Sequence, residues 1–411
     1  MTALRGATGK LEVSRMPTMT FEEARACVIE QVTKLRPAPS REVVPLDEAA
    51  GRVLAEAIAA DRDYPATARS LRDGYAVRAA DTPGRLRVIG EVRAGEFLGR
   101  RIEAGECASI MTGAPVPDGA DSVVMIEHTE RDGDVVTVPS AESGQFVNRR
   151  AAEAREGDVL IEPGRRIGYG EIALLAAVGR TAVEVFARPL VAIIPTGDEV
   201  IEIDQRPLPN QVRNSNAHSL AAQVRAAGGI PQVLPIARDM REATRELIER
   251  GLEADLLLVS GGVSAGKYDI VEDALASLGA QFYFDRVLIQ PGQPLVFGRA
   301  RDKFFFGMPG NPASTMVTFR VFARATLELL GGACETALPL TLARLTGDFR
   351  HKPGLTRFLP ARLSDSGAEV TPVPWRGSSD IPSVVRANAF LVAEAARESW
   401  SAGELIRVLM K

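Results

Sequence analysis

The chain is poor in the residues that build redox and metal centres. It has three cysteines, Cys27, Cys107 and Cys334, far apart and without a C-x-x-C pair. That spacing argues against a disulfide framework or a structural zinc. Three scattered histidines, His128, His218 and His351, give little support to a histidine metal centre or a Ser-His-Asp triad. No window approaches 18 apolar residues, so no spanning helix is expected. The first 15 residues carry three basic side chains but no apolar stretch, so a loose tail is expected there rather than a signal peptide. A net charge of -4 gives no sign of nucleic acid or an anionic membrane as partner. A cytoplasmic protein is the expectation.

At 411 residues the chain is too long for one core, and two to four domains are expected. Its 45% hydrophobic and 25% charged composition is that of a soluble globular protein. Thr20-Phe-Glu-Glu23 reads as a capping box opening a helix that Pro37 and Pro39 end. Leu46–Ile58 reads as a second short helix. From Asp61 to Gly144 short β-branched runs alternate with turn signals, an all-β module. Asp132-Gly133 predicts a hairpin joining Val123–Ile126 to Val135–Val138. A helix over Glu171–Val178 rejoins the N-terminal helices, which makes the β-module an insertion.

From Pro189 the pattern becomes strand–helix–strand. Leu190–Ile194 has the continuous apolar character of a strand buried on both faces. Helices over Ala217–Ala227, Asp239–Glu253 and Pro312–Leu330 alternate with strands at Gln232–Ile236, Asp255–Val259, Leu295–Phe297 and Phe304–Phe306. The alternation implies a parallel, doubly wound sheet. Short strands after Gly331-Gly332 suggest a small β-barrel or sandwich. The expected division is residues 17–61 with 147–186, the insertion 62–146, the α/β domain 187–332 and the β domain 333–411.

Ligands of open α/β sheets bind beyond the carboxyl ends of the strands. Three loops fall there. Pro195-Thr-Gly-Asp-Glu199 offers a hydroxyl and two carboxylates, or a plain turn with Asp198 as cap. Ser260-Gly-Gly-Val-Ser-Ala-Gly-Lys-Tyr-Asp269 opens a helix. Its Gly261, Gly262 and Gly266 admit a close ligand and turn N–H groups toward phosphate. Ser260 and Ser264 add hydroxyls, and Asp269 suits a divalent cation; the alternative is a helix entry that needs glycine. It is neither a Walker A loop nor a G-x-G-x-x-G fingerprint. Gly307-Met-Pro-Gly-Asn-Pro-Ala-Ser314 places Asn311 and Pro312 at a helix start, where anions are favoured, or makes an ordinary tight turn. Together the three loops suit a phosphorylated, anionic small molecule with a metal.

The three motifs, in this order, resemble those of the molybdopterin molybdenumtransferase family, which includes bacterial MoeA and the E domain of gephyrin. Arg72-Asp-Gly-Tyr-Ala76, Ile110–Asp121 (IMTGAPVPDGAD) and Gly377-Ser-Ser379 extend the resemblance from about residue 17 to the end. It implies an elongated four-domain subunit in a homodimer. It implies insertion of molybdate into adenylylated molybdopterin, with hydrolysis of the adenylate and release of AMP. A divalent cation such as Mg²⁺ would assist, held by Glu199, Asp239 and Asp269. Asp73 and Thr112 would act from the partner subunit. Thr196, Gly197 and the glycine-loop residues would bind substrate, with Pro309, Gly310, Asn311 and Pro312 near the pterin phosphate. Ser314, Arg357, Ser378 and Ser379 would lie by the oxyanion, and Arg286 stands where the family often has lysine. Molybdopterin adenylyltransferase and cofactor-free molybdoenzymes would be pathway partners.

Two departures stand out. The family's K-P-G-K-P is here Gln290-Pro-Gly-Gln-Pro294, which predicts weaker molybdate affinity, since a charge-assisted hydrogen bond is about twice a neutral one. Ser70-Leu-Arg72 replaces Ser-Ala-Met, and Arg72 would return positive charge if turned toward the site. Competing readings are a pterin-nucleotide or pyrophosphate hydrolase on the same α/β domain, a paralogue that binds pterin without inserting metal, and a scaffold.

Overall fold

The computed structural model describes residues 18–262 and 270–411. The expected N-terminal tail lies outside them. Thr20 caps the helix Phe21–Leu35: its hydroxyl accepts from Glu23 N at 3.2 Å, while Thr20 N donates to the Glu23 carboxylate at 2.9 Å. The helix ends at Leu35, just before Pro37, and buries Phe21, Ala24, Val28 and Val32. Phe21 meets Phe322 and Phe358 edge-on, at centroid distances of 5.8 and 5.2 Å. One apolar cluster therefore joins this helix to the α/β sheet and to the C-terminal strands.

The helix expected over Leu46–Ile58 does not form. Only Leu46–Glu48 makes a 3-10 turn. Gly51, at φ +78°, turns the chain, and the following backbone bonds outward, with Leu54 N donating to Arg165 O and Ile167 N to Arg52 O. The apolar positions that mimicked helical spacing instead sit in extended chain and pack with Ile161, Ile167 and Leu175. Strand Arg41–Pro45 pairs with Ala182–Phe186, and Ile58–Ala59 pairs with Val159–Ile161.

The inserted module is a six-stranded sheet. Asp132-Gly133 does turn a hairpin, with Gly133 at φ +63°, but its first arm is Glu130–Asp132. The expected arm belongs elsewhere: Ser122–Met125 pairs with Gly74–Val77. The apolar run Val123-Val124 is buried in the module's interior. The true arm is an exposed polar edge strand with no apolar signal.

The α/β domain has a six-stranded sheet in the order Ile230–Val233, Leu190–Pro195, Leu256–Ser260, Lys303–Met308, Pro294–Ala300, Gln281–Arg286. The first four strands are parallel, and Pro294–Ala300 runs antiparallel to both its neighbours, so the sheet is mixed. Arg301 and Asp302, both at positive φ, make a tight turn between Ala300 and Lys303, which joins Pro294–Ala300 and Lys303–Met308 as a hairpin. Helices Ser215–Ala226 and Pro312–Leu330 cover one face, the latter with a π turn at Phe319–Ala323. Helices Arg241–Gly251 and Ile270–Ser277 cover the other. Phe297, stacked on Phe304 and Phe306, is fully buried, a burial that contributes roughly 1.5–3 kcal/mol.

The C-terminal strands Leu340–Leu345, Thr356–Leu363, Glu369–Pro372, Ala389–Ala393 and Leu405–Met410 close into a five-stranded barrel. Ile289–Gln290, leaving the α/β domain, adds to it as a parallel neighbour of Thr356–Arg357. That pairing sets the barrel against the carboxyl edge of the sheet.

Candidate functional site: a cleft between sheet edge and barrel

A cleft of about 1090 Å³ opens where the strand ends meet the barrel. Thr196, Gly197, Glu199, Asp239, Ser260, Gly261, Gly262, Gln290, Gln293, Pro309, Gly310, Asn311, Pro312, Ser314, Ser378 and Ser379 all line it. All three predicted loops therefore contribute. Ser264, Gly266 and Asp269 lie outside the described residues.

Strand pairing fixes the loops against each other. Thr196 N donates to Ser260 O at 3.0 Å, and Gly261 N donates to Met308 O at 3.0 Å. Gly261 has φ +95°, and a Cβ there would meet the Thr196 hydroxyl at 2.7 Å, so only glycine fits. Asn216, absent from the sequence-based set, ties two loops together. Its Nδ2 donates to Ser260 Oγ at 3.0 Å and to Gly310 O at 2.8 Å. Its buried Oδ1 has no partner among the described residues.

Two helix N-termini face the cleft. Helix Ser215–Ala226 starts two residues before its expected start, because Asn214 Oδ1 caps Ala217 N at 3.2 Å. The second starts at Pro312. Asn311 occupies its cap position without a side-chain bond, and Thr315 Oγ1 instead donates to Pro309 O at 2.6 Å and Asn311 O at 3.0 Å. Ala313 N donates to Ser378 O at 2.9 Å, so the barrel loop satisfies part of this helix end. The remaining N–H groups and the helix dipoles favour anions.

The acidic side is built around Arg238. Its Nη1 donates to the carbonyls of Gly197 at 3.3 Å, Asp198 at 3.1 Å and Val200 at 2.9 Å. Asp239 N donates to Asp198 Oδ1 at 3.1 Å. Burial, followed by the charges of Asp198 and Glu199, pushes the Asp239 carboxyl above its ordinary range, against the pull of Arg238. Among the described residues no three His, Cys, Asp or Glu side chains gather into a metal site. Glu199 and Asp239 form a mutually repelling pair at the cleft, and a pair of carboxylates is what Mg²⁺ uses alongside substrate phosphates.

The remaining predicted residues are placed elsewhere. Arg286 is exposed at the sheet edge beyond the cleft lining. Arg357 is half-buried beside Gln290, with a buried Nε that has no partner among the described residues. Asp73 and Thr112 lie together on the inserted module, where Thr112 N donates to Asp73 Oδ1 at 2.7 Å; neither lines this cleft. Arg72 stacks over Phe146 at 5.7 Å. Arg213, the one Lys or Arg among the described residues that line the cleft, was also missed, since nothing marked it in the sequence.

Glycine loops, helix N-termini and carboxylates at the carboxyl edge of a wound sheet, walled by a barrel, define a cleft for an anionic small molecule. Residues 19–179 match the model of the MoeA N-terminal region (domain I and II). Residues 192–329 match that of a probable molybdopterin binding domain, and 342–410 that of the MoeA C-terminal region (domain IV). A molybdopterin molybdenumtransferase of Bacillus subtilis is 34% identical over 387 residues, covering 90% of this chain and 89% of its own. One from Nostoc is 35% identical over 350 residues, 82% of this chain and 80% of its own. The crystal structure of a molybdopterin biosynthesis moeA protein from Pyrococcus horikoshii is similar with a TM-score of 0.80, at 26% identity over 96% of this chain and all of the other. The chain belongs to the MoeA family.

Proposed function

We propose that this chain is a molybdopterin molybdenumtransferase: it inserts molybdate into adenylylated molybdopterin and hydrolyses the adenylate, releasing AMP and molybdenum cofactor. The convergence of three glycine- and hydroxyl-bearing loops with Glu199 and Asp239 in one cleft is the observation that carries this reading. Backbone N–H groups of Gly262 and Gly310 cradle phosphate oxygens, while Gly261 N–H stays in the strand ladder to Met308 O. Glu199 and Asp239, with Asp269, would hold Mg²⁺, which when bound would supply charge neutralisation for cleavage of the phosphoanhydride. Arg238 fixes the loop that presents Glu199. Gln290 and Gln293 offer amide donors to the oxyanion, with Arg357 paired to Gln290 and the hydroxyls of Ser314, Ser378 and Ser379 in the same cleft.

Asp73 and Thr112, remote from the cleft of their own chain, act on the cleft of a second copy in a homodimer. Mixing a D73N chain with a D239N chain tests this: one intact site in two restores activity that each variant lacks alone. If the mixture stays as inactive as its parts, the shared site is wrong.

The assay for the reaction itself is AMP release from adenylylated molybdopterin with Mg²⁺ and molybdate. Wild type releases AMP, and E199Q and D239N lower the rate by roughly a hundredfold or more, the scale of removing charge stabilisation at a transition state. AMP release that survives both substitutions contradicts the placement of the site.

A further inference from the structure

We propose that Trp375 is the platform on which the planar nitrogen heterocycle of the substrate stacks. This deepens the function proposed above and rests on it. The sheet-edge side of the cleft offers glycines, hydroxyls, amides and carboxylates beside Val200, Val212 and several prolines, and the barrel side brings Leu355, Trp375 and Ile381 beside Ser378 and Ser379. Trp375 is the only aromatic side chain among the described residues that line the cleft. Its indole N–H is turned inward without a partner among the described residues, and tryptophans placed for packing usually pair that group.

The loop that carries it is braced on both sides. Val373 N donates to Pro360 O at 2.9 Å, Ser383 Oγ to Pro374 O at 2.8 Å, and Arg376 N to Asp380 Oδ2 at 3.1 Å. The ring is thus presented at little conformational cost. Three residues further on, Ser378 O meets Ala313 N at the helix end. One loop therefore spans from a phosphate-attracting helix N-terminus to a half-buried aromatic ring that lines the cleft, the layout that suits a ligand with a phosphate and a fused-ring base. The chain's other tryptophan, Trp400, is 4% exposed. It packs against His351 at 5.6 Å and Phe349 at 5.7 Å inside the barrel. Pterin and adenine share the flat, nitrogen-rich chemistry that stacks on such a ring.

The chain contains two tryptophans, so W400F leaves Trp375 as the sole emitter. Wild type gives the same reading if W400F does not fold, because a buried Trp400 is closed to a quencher. AMP and 6-carboxypterin are titrated separately into the full-length protein, with calorimetry for affinity and acrylamide quenching for access to Trp375. The expected result is that at least one ligand shields Trp375 at saturation. W375A then raises that ligand's Kd about tenfold or more, while W375F stays within about threefold and both variants melt as wild type does. Shielding by AMP assigns the platform to adenine, and shielding by the pterin assigns it to pterin. A ligand that binds with Trp375 quenching unchanged, or binds W375A as tightly as wild type, overturns the platform and leaves the proposed function standing. Wild type that binds neither ligand at millimolar concentration overturns both.

Discussion

Gln290 and Arg357 stand opposite each other in a two-residue parallel ladder that joins the α/β domain to the barrel. Gln290 lines the cleft, and Arg357, half-buried on the paired strand, is the cation next to it, outside that lining. Under the proposed function this pair sets the oxyanion affinity. R357Q is expected to raise the half-saturating molybdate concentration about tenfold, the scale of one charge-assisted hydrogen bond. Q290K/Q293K is expected to lower it. Both are read from molybdate titrations at fixed substrate, and equal requirements in all three proteins would remove the pair from the site.

Arg238 holds three carbonyl oxygens of the loop that bears Glu199. Its loss frees that loop without touching a reacting atom. R238A is expected to cut turnover at least tenfold and to cost about 2 kcal/mol of stability, with R238K partly restoring both. A calorimetric melt and a rate measurement on the same samples check this. A variant with wild-type turnover contradicts the clamp.

The Asp239 carboxyl sits above its ordinary range because burial and the neighbouring acids penalise its charge. With a raised folded value, ionisation costs the folded state. The penalty is present above the folded value, at neutral pH included, and vanishes as pH falls through the carboxylate range. D239N is therefore expected to melt higher than wild type at neutral pH, with the gap closing in acid. Mg²⁺ reverses the order by relieving the wild-type repulsion. Thermal melts across pH, with and without Mg²⁺, read both effects; a gap independent of pH contradicts them.

Desolvation pushes the Cys107 thiol up to about 12, with Arg131 opposing, and burial also raises Cys27. Cys334 is exposed. A thiol reagent at neutral pH is expected to label Cys334 first and Cys107 only after unfolding. Mass mapping of the labelled peptides decides; early labelling of Cys107 would show that the inserted module opens readily.

Much of the site was legible because its signals are local. Glycines at Gly261 and Gly262, hydroxyls at Ser260 and Ser314, and the acid Glu199 fall in loops whose place at the sheet edge follows from strand–helix alternation, whereas Asp239 entered only through the family resemblance. What was missed depends on distant pairing. Asn216 matters because it reaches Gly310, 94 positions away, and a lone Asn in a helix carries no such mark. Arg238 is one arginine among many until the loop closes over it. The Leu46–Ile58 segment misled because buried extended chain and a short amphipathic helix can share apolar spacing. The hairpin was placed at the right turn with the wrong arm, since an edge strand as polar as Glu130–Asp132 has no hydrophobic pattern to read.

The central claim is that this cleft couples adenylate hydrolysis to metal insertion. The direct measurement supplies the purified chain with adenylylated molybdopterin, Mg²⁺ and rising molybdate, and follows reactivation of a cofactor-free molybdoenzyme alongside AMP. Both signals are expected to rise together, with reactivation saturating in molybdate. AMP release without reactivation at any molybdate concentration would contradict the claim and would make the chain a pterin-nucleotide hydrolase.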